Sequence, residues 1–445
     1  MSRLVFASLF TIDPRSLEVV GDLAESFEVI DPMQYRVRLR DGLRFSDGSA
    51  LDATDVVDTY LGILDPRLES RYAGTYARIR EVRAEDAHTV TFTLDAPHAT
   101  FLTDLEMPIV RSEDATRRLE ESFVGAGPYR IVSRGEGRTA MAPNPHWHGG
   151  VPLHRDLRFV VVRDDNTRAL RLLAGAGDAA INSIPPLLIP LFENDDRFEV
   201  RSAPGVSTTY LGFHTDVIPA QVREAIALAI DRESLIVAKL NGRAHIAESW
   251  IPEGHWAAID LPERPLDRER SAALLDEAGW TRGEDGVRRR LILRVGADRF
   301  RVSVSRAIAA MLAEVGLDVV VRPSESATLI ADLNAGRFEL CFLQVPEVFE
   351  PHVLSWFFAS EHVPEGQQLG ANRWRLRDSI LDDALERGRA NPDLDVRRDA
   401  YAIAQRRLYD TFPVFPLWQE DTVVVARRGL TLDVPRDGRF ATLAR

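Results

Sequence analysis

Apolar and polar positions change period several times along this chain, and those changes divide it. Tyr35, Val37 and Leu39 alternate with Arg36, Arg38 and Arg40, the mark of a half-buried antiparallel strand. Thr89–Leu94 repeats the alternation. Residues 4–12 read as a buried strand closed by the turn pair Asp13-Pro14. A short helix is expected through residue 64, opened by Asp52 with Asp55 three residues on, which is capping-box spacing. Residues 22–124 therefore form a small β-rich unit with a few short helices.

The character changes after Gly125-Ala126-Gly127-Pro128, where the glycines permit tight backbone paths. Residues 157–163, LRFVVVR, are almost continuously apolar, as in a parallel strand covered on both faces. Asn166 is the expected cap of a helix over residues 168–174, and residues 179–182 return as a strand. The same grouping recurs as a strand at 291–295, a helix at 303–315 and a strand at 317–321. A helix at 329–335 and a strand at 338–343 follow. Between the two groups, residues 210–213 form a strand. A helix follows on Val222, Ala225, Ile226, Ala229 and Ile230, interrupted at Asp231 and stopped at Gly242. A connector between two α/β groups reads as an interdomain crossing, which predicts two lobes and a cleft. Late strands are expected at 414–417 and 423–426.

Length agrees, since 445 residues exceed what one core usually supports. A net charge of −13 with no basic tract argues against a nucleic-acid partner. Cys341 is the sole cysteine, so no internal disulfide is possible. No run approaches the roughly 20 apolar residues of a transmembrane helix. The first residues do not have the form of a secretion signal.

Candidate chemistry is sparse. His146, His148 and His154 lack a nearby Cys or carboxylate to complete a ligand set, so no metal and no other cofactor is expected. No nucleophile elbow and no zincin motif occurs, so no catalytic residue is assigned. Trp250, His255 and Trp256 on one side, and Trp356 to Phe358 on the other, line a pocket or pack a core. Glu347 and Glu350 follow the strand at 338–343, at the end of an α/β strand where ligands tend to bind.

Seven segments then carry a family likeness in order: DLAESFEV at 22–29, RLRDGLRFSDGSALDATDVV at 38–57, VGAGPYRIV at 124–132, NPHWHGG at 144–150, VREAIALAIDRESLI at 222–236, LLDEAGW at 274–280 and GRFELCFL at 336–343. The chain resembles the large substrate-binding proteins of ABC transporters, of the oligopeptide, dipeptide and nickel type. The resemblance implies an α/β, bilobal, periplasmic-binding-protein-like fold with the ligand cleft between the lobes. The larger lobe would have two subdomains: a core of residues 1–21, 125–210 and 412–445, and a β-rich subdomain of 22–124. Residues 211–411 would form the other lobe. It implies a non-enzymatic monomer in the periplasm or cell envelope that takes a peptide or other small amine-bearing solute to ABC permease subunits. The alternative is a cytosolic solute-sensing module of the same fold.

The ligand-binding residues implied are Glu347, Phe6, Ser8, Phe101, Tyr210, Trp250, Phe349 and Trp356. Glu347 matches the carboxylate that holds a peptide's amino group, and residues 6–9 match a segment that runs beside the ligand. Two departures stand out. Family members often carry Trp before that carboxylate, where this chain has Val345. They also carry a signal and a first strand ahead of the segment matching Leu4, where Met1 stands too close.

Overall fold

The computed structural model describes residues 2–116, 123–345, 347–365 and 370–444. Pro346, in the segment that carries Glu347 and Glu350, lies outside them. The chain divides into two compact units, Met1–Ala203 with Ala390–Pro392 and Thr422–Arg445, and Pro204–Arg389 with Asp393–Asp421.

In the first unit, β1 (Phe10–Ile12) and β2 (Val19–Gly21) form a two-stranded sheet. β3 (Ala24–Asp31), β4 (Gln34–Leu39), β5 (Ile79–Asp86) and β6 (Thr89–Leu94) form an antiparallel sheet in the order β3-β4-β6-β5. The alternation in β4 is borne out, with Tyr35, Val37 and Leu39 buried. In β6 the alternation fails, since Thr89, Thr91 and Thr93 are buried too. The helix Ala53–Leu64 starts where its cap predicts. The Asp52 carboxylate accepts from Thr54 N–H at 2.7 Å, and Asp55 accepts from Asp52 N–H at 3.0 Å.

Residues 4–12 are not one strand. Ser2–Val5 is a helical turn, and only Phe10–Ile12 is laddered. The glycine pair explains the departure. A Cβ on Gly125 would lie 2.2 Å from the Val5 carbonyl oxygen, and Gly127 N–H donates to that same oxygen at 2.9 Å. The glycines let the backbone take the carbonyl that a strand would have offered to a neighbour.

β7 (Tyr129–Gly135), β8 (Arg138–Pro143) and β9 (Leu157–Val160) form an antiparallel sheet. β9 was expected to be parallel and covered on both faces. It is antiparallel, and Arg158 and Val160 face solvent. The helix Asp165–Leu173 is capped by Asp164, not Asn166. Asp164 holds the extended backbone a cap needs and accepts from Thr167 N–H. β10 (Ala179–Ile181) pairs with residues 424–426, so β9 and β10 do not share a sheet.

The second unit is built on β11 (Phe198–Phe213), β12 (Ala244–Ile246), β13 (Arg289–Gly296), β14 (Leu317–Ser324), β15 (Leu340–Val345) and β16 (Val414–Arg427). β11 and β16 each run through a division point of the chain. The two late strands expected are thus one. Within the unit the order is β16-β11-β15-β13-β14, with β12 on β16. β13 is parallel to β14 and β15, as the strand-helix-strand pattern predicts, with Arg299–Glu314 as the crossover helix between β13 and β14. The connector helix is two helices, Ala220–Leu228 and Arg232–Leu240, because Asp231 caps the second through Ser234 N–H. Their apolar face joins Leu211, Phe213, Leu291, Leu293, Phe342, Phe415 and Trp418 in one core.

Candidate functional site

β15 ends at Val345, in the middle of the second unit's sheet, and its penultimate residue, Gln344, is polar. Gln344 sits in a chain of hydrogen bonds. The Arg301 guanidinium donates to Gln344 Oε1 at 3.3 Å, and Gln344 Nε2 donates to Thr209 Oγ1 at 3.4 Å. Thr209 Oγ1 donates to Glu420 Oε1 at 2.9 Å, and Trp418 Nε1 donates to the same oxygen at 3.2 Å. The chain crosses β15, β11 and β16. Buried polar groups of this kind hold a strand end rigid when satisfied. None of these residues was singled out from the sequence. The signal was present: Gln344, Thr209 and Glu420 are polar residues within or beside apolar strand runs.

The loop after β15 is pinned just past the buried Val348. The Phe349 carbonyl lies 3.0 Å from His255 Nε2. Glu350 is ion-paired with Arg397. Arg397 also donates to the Gly388 carbonyl at 3.0 Å and lies over the Trp256 ring at 4.8 Å. The two carboxylates of the loop thus differ. Glu350 serves the fold, and Glu347, half-buried, stands nearest the strand end. Phe349 is half-buried in the same loop.

The aromatic candidates are mostly core. Tyr210 is 1% exposed and Trp250 3%, their rings 4.6 Å apart. Trp250 also packs on Phe357 at 5.1 Å and Phe358 at 4.7 Å, so the two sequence clusters merge into one apolar core. Phe101 lies in the other unit's core, against Tyr35 at 5.0 Å and Phe92 at 5.3 Å. Phe101 and Tyr210 are thus buried in the cores of their own units. Trp250 lines only a cavity of about 20 Å³ beside Glu248, Arg264 and Gln405, room for one water. Trp356 is 43% exposed and stacks on His362 at 4.7 Å.

In the first unit, Phe6 and Ser8 share a cavity of about 50 Å³ with Arg3, Asp22 and Trp147. Asp22 organises its polar side. It accepts from Ser8 N–H at 3.0 Å and lies 3.2 Å from His148 Nε2. Arg3 is held by Glu106, which Arg439 also contacts at 3.0 Å. His148 therefore has a carboxylate partner that its sequence neighbours did not reveal. Among the described residues no group of three or more His, Cys, Asp or Glu could hold a metal ion.

Comparison with known proteins sets these features in a family. Residues 18–362 match the family described as bacterial extracellular solute-binding proteins, family 5. The chain is 30% identical over 425 residues to Protein XP55 of Streptomyces lividans, covering 91% of this chain and 76% of that protein. It is 25% identical to the probable D,D-dipeptide-binding periplasmic protein DdpA of Escherichia coli, covering 92% and 81%. Among solved structures, NikA of Brucella suis in complex with Fe(III)-EDTA superposes with a TM-score of 0.87 at 22% identity, covering 98% of this chain and 94% of that one. DppA of Helicobacter pylori in complex with the peptide STSA gives a TM-score of 0.80 at 20% identity, covering 98% and 91%. The periplasmic-binding-protein fold is thereby shown, and the chain belongs to the family 5 bacterial extracellular solute-binding proteins.

Proposed function

We propose that this protein is the substrate-binding component of an ABC transporter and that its solute is a peptide or another small amine-bearing molecule. The family match carries the transport reading, and it favours a place outside the cytoplasmic membrane over a cytosolic sensor. No helix among the described residues is long and apolar enough to cross a membrane, so delivery needs permease subunits as partners. The relatives that match are solute-binding proteins, which favours capture over catalysis.

The observation that favours an amine is a half-buried carboxylate, Glu347, just past the end of β15. A carboxylate at a partly desolvated strand end would hold an ammonium by a charge-assisted hydrogen bond. Phe349 in the same loop, and Phe6 and Ser8 at the first unit's cavity, are the further contacts we propose. A relative from Escherichia coli is named a nickel-binding periplasmic protein.

Mass spectrometry of the solute carried through purification tests the class directly. Calorimetric titration of that solute against Glu347→Gln then tests the anchor. Loss of a desolvated charge partner should cost about 2–4 kcal/mol of binding. Wild-type affinity in Glu347→Gln would remove the amine anchor and, with it, the main reason to expect a peptide.

A further inference from the structure

The sheet β7-β8-β9 has one buried face and one open face, and the open face carries charge of the wrong sign for this protein. Register places Arg130 opposite Ala142, Ala140 opposite Arg158, and Arg138 opposite Val160. Residues directly opposite share a face, as do alternate residues on a strand. Arg130, Arg138, Arg158 and Val160 therefore surround a floor made by Ala140 and Ala142. All four surrounding residues are exposed. The opposite face, with Ile131, Met141, Leu157 and Phe159, packs into a core, so the arginines cannot turn inward.

None of the three arginines makes an ion pair or a side-chain hydrogen bond among the described residues. Most arginines of this chain do, for example Arg36 with Glu28 and Arg290 with Asp318. Residues 130–163 hold six arginines against two carboxylates, Glu136 and Asp156, in a chain whose net charge is −13. Val132, at the bulge in β7, and Val161, just past β9, are exposed at its margin. The surface is flat, basic, small-floored and edged with valine.

We propose that this face rests on an anionic lipid bilayer surface. Guanidinium forks match phosphate oxygens two at a time, and valine side chains tolerate the headgroup boundary. The net negative charge of the whole chain does not prevent it. Near 0.1 M salt the screening length is about 10 Å, similar to the roughly 7–8 Å between diagonal neighbours on a sheet. Clustered arginines are then felt at the surface, and distant acidic groups are not. Such contact would hold a solute-binding protein beside a membrane without a helix that crosses it. It is independent of which solute is bound.

The test is co-sedimentation with vesicles of equal parts phosphatidylcholine and phosphatidylglycerol, with pure phosphatidylcholine as control. The wild type should sediment with the anionic vesicles at about 0.1 M salt and be released at about 1 M, where screening is complete within roughly 3 Å. The triple variant Arg130→Gln, Arg138→Gln, Arg158→Gln should bind at least about tenfold more weakly, since each basic residue near an anionic surface adds attraction. A matched variant, Arg38→Gln, Arg290→Gln, Arg377→Gln, has the same net charge and should bind like the wild type. Circular dichroism and the melting temperature show whether the triple variant is folded. Equal vesicle binding by the two triple variants would overturn the proposal. So would a wild type that ignores anionic vesicles but is retained by an acidic protein, since the face would then belong to a protein partner.

Discussion

The carboxylate of Glu350 and the guanidinium of Arg397 form an ion pair with both side chains about nine-tenths buried, at 10% and 9% exposure. Neither group has solvent to fall back on. Removing one partner leaves the other charged in a dry site, which typically costs about 3–5 kcal/mol. Glu350→Gln and Arg397→Met should each lower the melting temperature sharply. The double variant should recover part of the loss, because it removes both charges. A double variant whose loss equals the sum of the two single losses would mean the pair is not coupled. Glu347→Gln, three residues away and outside this ion pair, should lower the melting temperature less. That contrast separates the carboxylate that holds the loop from the one proposed to hold solute.

Gly212 lies in β11 with no room for a side chain. A Cβ there would sit 2.2 Å from Cζ3 of Trp374 and 2.9 Å from Sγ of Cys341. Trp374 is fully buried and its indole N–H donates to the Phe357 carbonyl at 3.0 Å, so it cannot swing aside without losing that bond. Overpacking of this kind costs about 1–3 kcal/mol. Gly212→Ala should lower the unfolding free energy by that amount, read as a lower denaturant midpoint with an unchanged slope. An unchanged midpoint would show that the Trp374 ring can move.

Much of this architecture could be read before the coordinates. The Asp52 cap, the alternation of β4 and the strand-helix-strand of β13 and β14 are local patterns, and each is where its residues predict. What failed depended on partners distant in sequence. Residues 4–12 looked like a strand because nothing local says that Gly125 and Gly127 come up against Val5. β9 looked doubly covered because an apolar run does not tell which neighbours a strand finds. The site divides the same way. Glu347 and Glu350 look alike in sequence, and nothing local says that Glu350 meets Arg397. Tyr210, Trp250 and Phe101 are aromatic residues that a pocket and a core use equally, and their burial places them in cores.

His214 follows β11 and is buried against Phe338, with ring centroids 5.3 Å apart. Burial pushes its imidazole below the ordinary value, Arg375 pushes the same way and Asp216 opposes them. The unfolded chain therefore binds a proton from about pH 6.5 downward where the folded chain resists it. Stability should fall as the pH drops below that value and level off below the folded-state pKa. His362 is shifted in the same direction by burial, so the two share the slope. Melting temperatures of His214→Asn and His362→Asn between neutral and mildly acid pH should each fall less steeply than those of the wild type. Parallel curves for all three proteins would remove both groups as the source.

Cys341 is the sole thiol, and it lies in β15 at the centre of the second unit's sheet. Burial pushes it up to about 12, against smaller opposing effects of Arg373 and the Gly212 backbone. Two consequences can be measured. The thiolate is the reactive form, so the folded protein should resist a thiol reagent such as Ellman's at about pH 8, and react with one equivalent once denatured. Labelling then reports opening of β15, and its rate should rise in Gly212→Ala, whose added methyl lies against the sulfur. The second consequence is alkaline. The unfolded thiol loses its proton from about pH 8.5, while the folded thiol keeps it to about 12. In that window the folded state binds more protons, so stability falls as pH rises. Tyr129, also pushed up to about 12 by burial, adds to the loss at the upper end. Cys341→Ser would keep a polar atom there, so Cys341→Ala is the cleaner variant: its stability should decline less between about pH 8.5 and 10 than that of the wild type. Rapid labelling of the native thiol at about pH 8 would show that β15 opens far more readily than a central strand should.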